Sequence, residues 1–364
     1  MNLLFVRSTS GFSGAEIYTI RVCESLTKLG EHCVVATNHQ PFIDALKSAG
    51  IKAIWVDFLP NEIGTKKTLL TGILHWTRQI RIWKEMTNSI KPNIDIYILE
   101  SMTEKILITP LLRLHSKRVI WIEHGPIFRT NRSKLVLWLY KKISTMANHI
   151  ITVSTDTKDD LVQGGIDKEL LTAIHIGITK PVKRIHRADT QTKTVGFLGT
   201  ICTEKGIEDY LDIMEQSMKI NKQMRGIIIG TGPKASWCKG ELVKRTLDKK
   251  IDMIGFVSDP AKYIQQMNYL LFPTHHEEGL SLTLLECMSQ GVIPIVRDKG
   301  GNRELVIHGK TGCLFQTNRE AVDWILQGIK DEKKYAVMQK NIQKLIEREF
   351  DEVKQANKII VRMK

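Results

Sequence analysis

The chain has 364 residues, of which 42% are apolar and 25% charged, and a formal net charge of +14. This balance is that of a globular chain long enough for two domains, and it excludes a fibrous or wholly disordered protein. No run of 18 or more uncharged apolar residues occurs, which excludes a membrane-spanning helix in the sequence as read.

The opening run NLLFVR (2–7) reads as a first strand, too short for an export signal. In GAEIYTIRVCESLTKLG (14–30), Ile17, Ile20, Val22, Leu26 and Leu29 recur at helical spacing, and Gly30 ends the helix. CVVAT (33–37), KAIWVDF (52–58), IDIYIL (94–99), RVIWIEH (118–124), HIITVS (149–154) and LTAIHIG (171–177) then follow. These are continuous apolar runs without strict alternation, the pattern of strands buried on both faces of a parallel sheet. A polar, basic stretch, TKPVKRIHRADTQTK (179–193), reads as a linker. The alternation restarts with TVGFLG (194–199), GIIIGTG (226–232), IDMIGFV (251–257), YLLFPT (269–274) and VIPIVRD (292–298), and from about 333 the chain is charged and helical in period. The fold class is therefore α/β: two doubly wound Rossmann-like domains, expected to face each other across a cleft.

The six cysteines, Cys23, Cys33, Cys202, Cys238, Cys287 and Cys313, form no CxxC pair. They are read as reduced thiols of a cytoplasmic protein, and no metal is expected. The positive charge is uneven. Residues 61–150 hold 15 Lys and Arg against 6 Asp and Glu, together with Trp76, Trp83, Trp121, Trp138 and Tyr140. Basic and aromatic residues together suit an anionic membrane surface, a phosphorylated acceptor or a nucleic acid; a solvated basic face over an ordinary core is the alternative. No nucleic-acid-binding motif is present, so a nucleic-acid partner is not expected.

In open α/β sheets ligands bind beyond the carboxyl ends of the strands, so the loops there carry the candidates. After YLLFPT comes HHEEGLS, with Ser281 suited to cap a helix from Leu282 to about Ser289. Free N–H groups around Leu280 to Thr283, at the positive end of the helix dipole, suit a phosphate. Glu278 before them and Glu286 in the second turn suit sugar hydroxyls and a ribose diol, because a charged acceptor strengthens a hydroxyl hydrogen bond. Two surface glutamates flanking a capped helix is the plainer reading. Gly199, Thr200 and Lys205 follow the first strand of the second half, with Lys205 able to reach a diphosphate. Gly230 and Gly232 permit close backbone approach to a ligand, and Phe256 and Val257 end a further strand. In the first half, Gly11-Phe12-Ser13-Gly14-Ala15-Glu16 joins the first strand to the first helix, but no acidic residue ends CVVATN, so a dinucleotide site is poorly supported. His124 ends RVIWIEH at the expected cleft, where a catalytic and a structural role weigh equally.

The set VGFLGTICTEKG, IIIGTGP, IGFVSD, EEGLSLTLLECMSQGVIPIV and GGNRELVIHGKTGCLF, in this order, with GFSGAE, LGEHCVVAT, EHG and ITVS before it, resembles glycosyltransferase family 4, retaining enzymes of the GT-B fold. The resemblance covers nearly the whole chain. It implies an acceptor-binding domain over 1–180, a linker over 181–193 and a nucleotide-sugar-binding domain over 194–335. A helical segment over 336–364 would pack back on the first domain. It also implies that Glu278 contacts the donor sugar, Glu286 the ribose, and the amides of Leu280 to Leu282 the diphosphate neutralised by Lys205. Gly14 would lie near the phosphates and His124 near the sugar and acceptor; His124, Glu278 and Lys205 are the catalytic candidates. The donor site would further include Gly14, Gly199, Thr200, Gly230, Gly232, Phe256, Val257, Gly279, Leu280, Ser281, Leu282 and Glu286. Three motifs depart from the family's pattern: Thr200 replaces an arginine, Gly279-Leu280-Ser281 replaces Gly-Phe-Gly, and Ile176-Gly177 replaces Asn-Gly.

The implied reaction moves a hexose or related sugar from a UDP- or GDP-linked donor, with no cofactor or metal, to a hydroxyl of a glycan or lipid-linked acceptor. The implied setting is cell-surface polysaccharide or glycolipid assembly at the inner membrane face. A nucleotide-sugar epimerase of the same fold and a non-enzymatic basic binding protein are the rival readings.

Overall fold

The computed structural model describes residues 1–57, 93–131, 133–178, 192–257 and 259–364, with Thr65, Lys67, Thr68, Leu70, Thr77, Ile80 and Arg81. The chain forms two compact units, Met1–Gly177 with Glu352–Lys364, and Ile178–Asp351. The division of the tail therefore falls at Asp351/Glu352, inside the segment read from sequence as 336–364. Of the linker read over 181–193, only Thr192 and Lys193 are described, and Trp76, Trp83 and Phe58 lie outside the described residues.

The first unit holds strands β1 (Asn2–Arg7), β2 (His32–Thr37), β3 (Lys52–Trp55), β4 (Ile96–Leu99), β5 (Arg118–Glu123), β6 (His149–Thr152) and β7 (Leu171–Ala173). Between them run α1 (Gly14–Lys28), α2 (Gln40–Ser48), α3 (Met102–Leu114), α4 (Lys134–Ser144) and α5 (Thr155–Gln163). The sheet order is β3-β2-β1-β4-β5-β6-β7, with every pair parallel. Leu3, Leu4, Phe5 and Val6 are all fully buried, as expected of a strand covered on both faces. The order grows outward in two directions from β1 and β4. The crevice at that reversal opens beyond Arg7 and Leu99, and β5 delivers Glu123 and His124 to the same edge.

The second unit holds β8 (Thr194–Leu198), α6 (Ile207–Ile220), β9 (Arg225–Ile229), α7 (Ala235–Lys244), β10 (Ile251–Gly255), α8 (Ala261–Ile264), β11 (Tyr269–Phe272), α9 (Leu282–Ser289), β12 (Ile293–Arg297), α10 (Asn302–Leu305), β13 (Cys313–Phe315), α11 (Asn318–Lys330) and α12 (Glu332–Glu349). Its order is β10-β9-β8-β11-β12-β13, again parallel throughout, so the reversal lies between β8 and β11. The last helix, α13 (Glu352–Met363), belongs to the first unit, where Ala356, Ile359, Ile360 and Met363 are buried and the helix packs on α1. No helix among the described residues is long and apolar enough to cross a membrane.

The strands stop short of the apolar runs that announce them. LTAIHIG yields only Leu171–Ala173 as strand, yet Ile174 and Ile176 remain 1% and 2% exposed, because the chain leaves the ladder while still packing on the core. IDMIGFV likewise ends as a strand at Gly255, leaving Phe256 73% exposed. β13 was not anticipated; three residues after a glycine carry too little pattern to read.

One buried ion pair braces β5. Lys105, 1% exposed, sets its Nζ 2.7 Å from Glu123 Oε1 and donates to the Ile122 carbonyl at 2.6 Å. The Tyr140 hydroxyl donates to the same Glu123 oxygen at 2.6 Å. Removing one member of such a pair strands the other in the core, at about 3–5 kcal/mol. Lys105→Met should therefore destabilise the first unit by about that amount in urea unfolding, and adding Glu123→Gln should recover at least half; equal stability of K105M and the native chain would overturn this account.

Candidate functional site

In the second unit the predicted residues gather at the sheet reversal. Ser281 caps α9: its Oγ accepts from the Leu284 N–H at 3.3 Å, with the extended backbone a cap requires. The helix runs Leu282–Ser289, as the sequence predicts, and ends before Gly291 at φ 74°. Among the described residues, no hydrogen bond takes the N–H groups of Leu280, Ser281, Leu282 or Thr283. These donors stand at the positive end of the helix.

The loop after β8 is stitched to the loop after β11. Lys205 Nζ forms an ion pair with Glu278 Oε1, and the Thr274 hydroxyl lies 3.4 Å from the same oxygen. Thr274 Oγ1 and the His275 N–H both bond to the Glu204 carbonyl, at 3.2 and 2.8 Å. The side chains of Lys205 and Glu278 are 28% and 14% exposed, so a ligand has access to the pair. Gly301 holds the other side. Its N–H donates to the Glu278 carbonyl at 2.9 Å, and a Cβ there would fall 1.8 Å from the Gly279 carbonyl oxygen. Glu286 is half-buried, one turn beyond Leu282 on the same helix face, and helix geometry tilts its side chain back toward the helix start.

Gly199, Thr200, Gly230 and Gly232 form the adjoining wall. The Ile201 N–H donates to the Thr231 carbonyl at 2.9 Å and the Lys234 N–H to the Ile201 carbonyl at 3.0 Å. Gly230 sits at φ 135°, and a Cβ would lie 1.9 Å from the Gly199 oxygen, so only glycine fits. Phe256 and Val257 follow β10, the outermost strand, two strand spacings or about 10 Å from β8. The Gly230 N–H donates to the Gly255 carbonyl at 2.8 Å, which ties the end of β10 to this wall. Lys234 was not singled out in the sequence. Its Nζ pairs with Glu208 and lies 4.7 Å from the Trp237 ring centre, and its N–H ties it to Ile201, next to exposed Thr200.

In the first unit Gly14 opens α1, behind the cap residue Ser13. Glu16 accepts from the Ser13 N–H and hydroxyl, both at 2.7 Å, and from Arg7 Nε at 2.6 Å. Burial alone would raise its pKa; the Arg7 charge and these bonds outweigh burial and bring it down to about 2. His124 stands where predicted, just past β5, with Nε2 3.3 Å from Glu100 Oε2. The Thr19 hydroxyl donates to that oxygen at 2.6 Å, and Arg7 Nη1 lies 3.6 Å away. Burial would raise the Glu100 pKa, but the bond and charge from His124, the Arg7 charge and the Thr19 hydroxyl hold it below the ordinary carboxylate value. Burial lowers the His124 pKa against the opposing pull of Glu100, and the Arg7 and Lys105 charges add to the lowering. Sequence reading passed over Glu100, although it directly follows β4 at the reversal, the rule that found His124.

Two family models match. Glycosyltransferase Family 4 covers residues 12–180 and Glycosyl transferases group 1 covers 179–345. A capsular polysaccharide biosynthesis glycosyltransferase, CapM of Staphylococcus aureus, is 23% identical over 59% of this chain and 61% of its own. A 2-deoxystreptamine N-acetyl-D-glucosaminyltransferase of Niallia circulans is 29% identical over 34% of this chain. The matched segments thus span 61% and 32% of those two proteins' lengths. In fold, the chain resembles Anabaena HepE, solved in complex with UDP, at TM-score 0.82, 18% identity and 99% coverage of both chains. With parallel Rossmann-like sheets in both units and the two family models running consecutively from residue 12 to residue 345, the chain belongs to the family 4 type of glycosyltransferases and has the GT-B fold.

Proposed function

We propose that the chain transfers a hexose or related sugar from a nucleoside diphosphate donor to a hydroxyl of a glycan or lipid-linked acceptor. The supporting observation is the group at the second unit's reversal: a lysine, four N–H groups unbonded among the described residues, and two carboxylates on the neighbouring loop and helix. A donor has matching parts in matching order: hydroxylated sugar, dianionic diphosphate, ribose diol. On binding, the diphosphate displaces Glu278 as the partner of Lys205, and Glu278 turns to the sugar hydroxyls. Lys205 and the α9 amides then stabilise the charge that grows on the departing diphosphate, a preorganised electrostatic effect. Lys234 supplies part of the charge that Thr200 lacks. Glu286 takes the ribose. HepE, solved with UDP, favours UDP as the carrier, and CapM favours surface polysaccharide as the product class. The resemblance to family 4 favours retention of the anomeric configuration without a metal.

A bilayer-linked acceptor is favoured by α4. Its exposed residues Lys134, Leu135, Trp138, Lys141 and Lys142 recur at helical spacing on one face, and Trp138 is 55% exposed. The helix carries no acidic residue. An exposed aromatic and leucine among lysines suits an anionic lipid surface.

Thermal-shift screening of UDP- and GDP-sugars should identify one donor that raises the melting temperature. Glu286→Ala should abolish that shift, and Lys205→Ala should lower kcat/KM about 100-fold or more. Full transfer activity in Glu286→Ala would refute the donor site. In flotation with vesicles, the chain should bind anionic bilayers and not neutral ones. Replacing Lys134, Lys141 and Lys142 together by Glu should cut anionic-vesicle affinity on the order of 100-fold. Binding indifferent to lipid charge would sink the membrane reading and leave the transferase reading standing.

A further inference from the structure

We propose that Glu100 is a positioning residue for sugar transfer, fixing His124 in the tautomer that carries its proton on Nε2 and so turning Nδ1 into a hydrogen-bond acceptor for a substrate hydroxyl. The inference rests on the transferase reading above. The geometry is one of accumulation. Glu100 is 4% exposed, and a single carboxylate oxygen, Oε2, receives the Thr19 hydroxyl at 2.6 Å and faces Arg7 Nη1 at 3.6 Å and His124 Nε2 at 3.3 Å. A hydroxyl and a guanidinium beside it stabilise the ionised form, and an ionised carboxylate can only accept hydrogen bonds. Nε2 must therefore donate. With the ring neutral, the remaining nitrogen carries a lone pair and no proton.

The surroundings hold this state. The Arg7 and Lys105 charges disfavour a second proton on the ring, Glu16 occupies the other side of Arg7, and the Tyr18 ring meets the imidazole edge-on at 5.0 Å. Among the described residues no hydrogen bond takes His124 Nδ1, and the side chain is 18% exposed, so the acceptor nitrogen is reachable. The hydroxyl it receives belongs either to the transferred sugar or to the acceptor; both are hydroxyls on saturated carbon and engage Nδ1 alike.

The test uses the full chain with 15N-labelled histidine. In the native protein the His124 Nδ1 resonance should lie in the unprotonated range and Nε2 in the protonated range. In Glu100→Ala both should move toward a tautomer average, with kcat lower by about 10- to 100-fold, the loss typical of an orienting partner. The melting-temperature shift caused by UDP should be unchanged, and Glu100→Asp should restore part of kcat. Glu100→Gln, which keeps the volume and offers either a donor or an acceptor to Nε2, serves if the alanine variant does not fold; it should likewise lose the fixed tautomer and the rate. If the loss appears in donor hydrolysis without acceptor as well as in transfer, the hydroxyl is the sugar's; loss in transfer alone assigns it to the acceptor. A folded Glu100→Ala or Glu100→Gln chain that kept the native tautomer and kcat would overturn the proposal. If the native chain transfers no sugar, the transferase reading fails, and the resonances alone still decide the tautomer.

Discussion

A wholly parallel sheet whose strand order reverses leaves a crevice that neighbouring loops cannot close, because the two crossover helices leave in opposite directions. Both units of this chain are built on that constraint. In one, β1 and β4 flank the reversal and bring Arg7, Glu100 and His124 to a single edge. In the other, β8 and β11 flank it and bring Lys205 to Glu278. Residues 24 and 73 apart in sequence become neighbours because the topology has one place to put them.

The two clusters use charge differently. Around Glu100 the carboxylate side chain is wholly enclosed and its partners are fixed within the fold. An enclosed charge with matched partners resists exchange, which suits a group that must hold another in one orientation. Around Glu278 the ion pair is partly solvated, and its lysine sits on a short loop that ends in a left-handed glycine, Gly206 at φ 75°. Partners of that kind trade places at small cost, which suits a group that must release a protein carboxylate to receive a ligand anion.

The strands were legible because burial on both faces demands long apolar runs, and those runs are conspicuous between polar loops. The cap at Ser281 and the helix behind it were legible because local chemistry decides a helix start. Strand ends were not, since Ile174 and Ile176 stay buried after leaving the ladder and hydropathy does not report hydrogen bonding. β13 was too short to show a period. At the site, the candidates Lys205, Glu278 and His124 could each be named from position alone, whereas their partners could not. The pairing of His124 with Glu100, and of Lys234 with Glu208, is a tertiary fact that no local pattern encodes.

The return of residues 352–363 to the first unit has a consequence for how the two units hold together when the chain is cut. The α1 face that carries Arg21, Val22 and Ser25 meets Gln355, Ala356 and Ile359 of α13. The second unit draws all its strands from one continuous stretch ending at Asp351, while the first takes a helix from beyond it to bury its own surface. A chain cut between the two, after Asp351, would keep the second unit whole and leave the first with a bare apolar helix face.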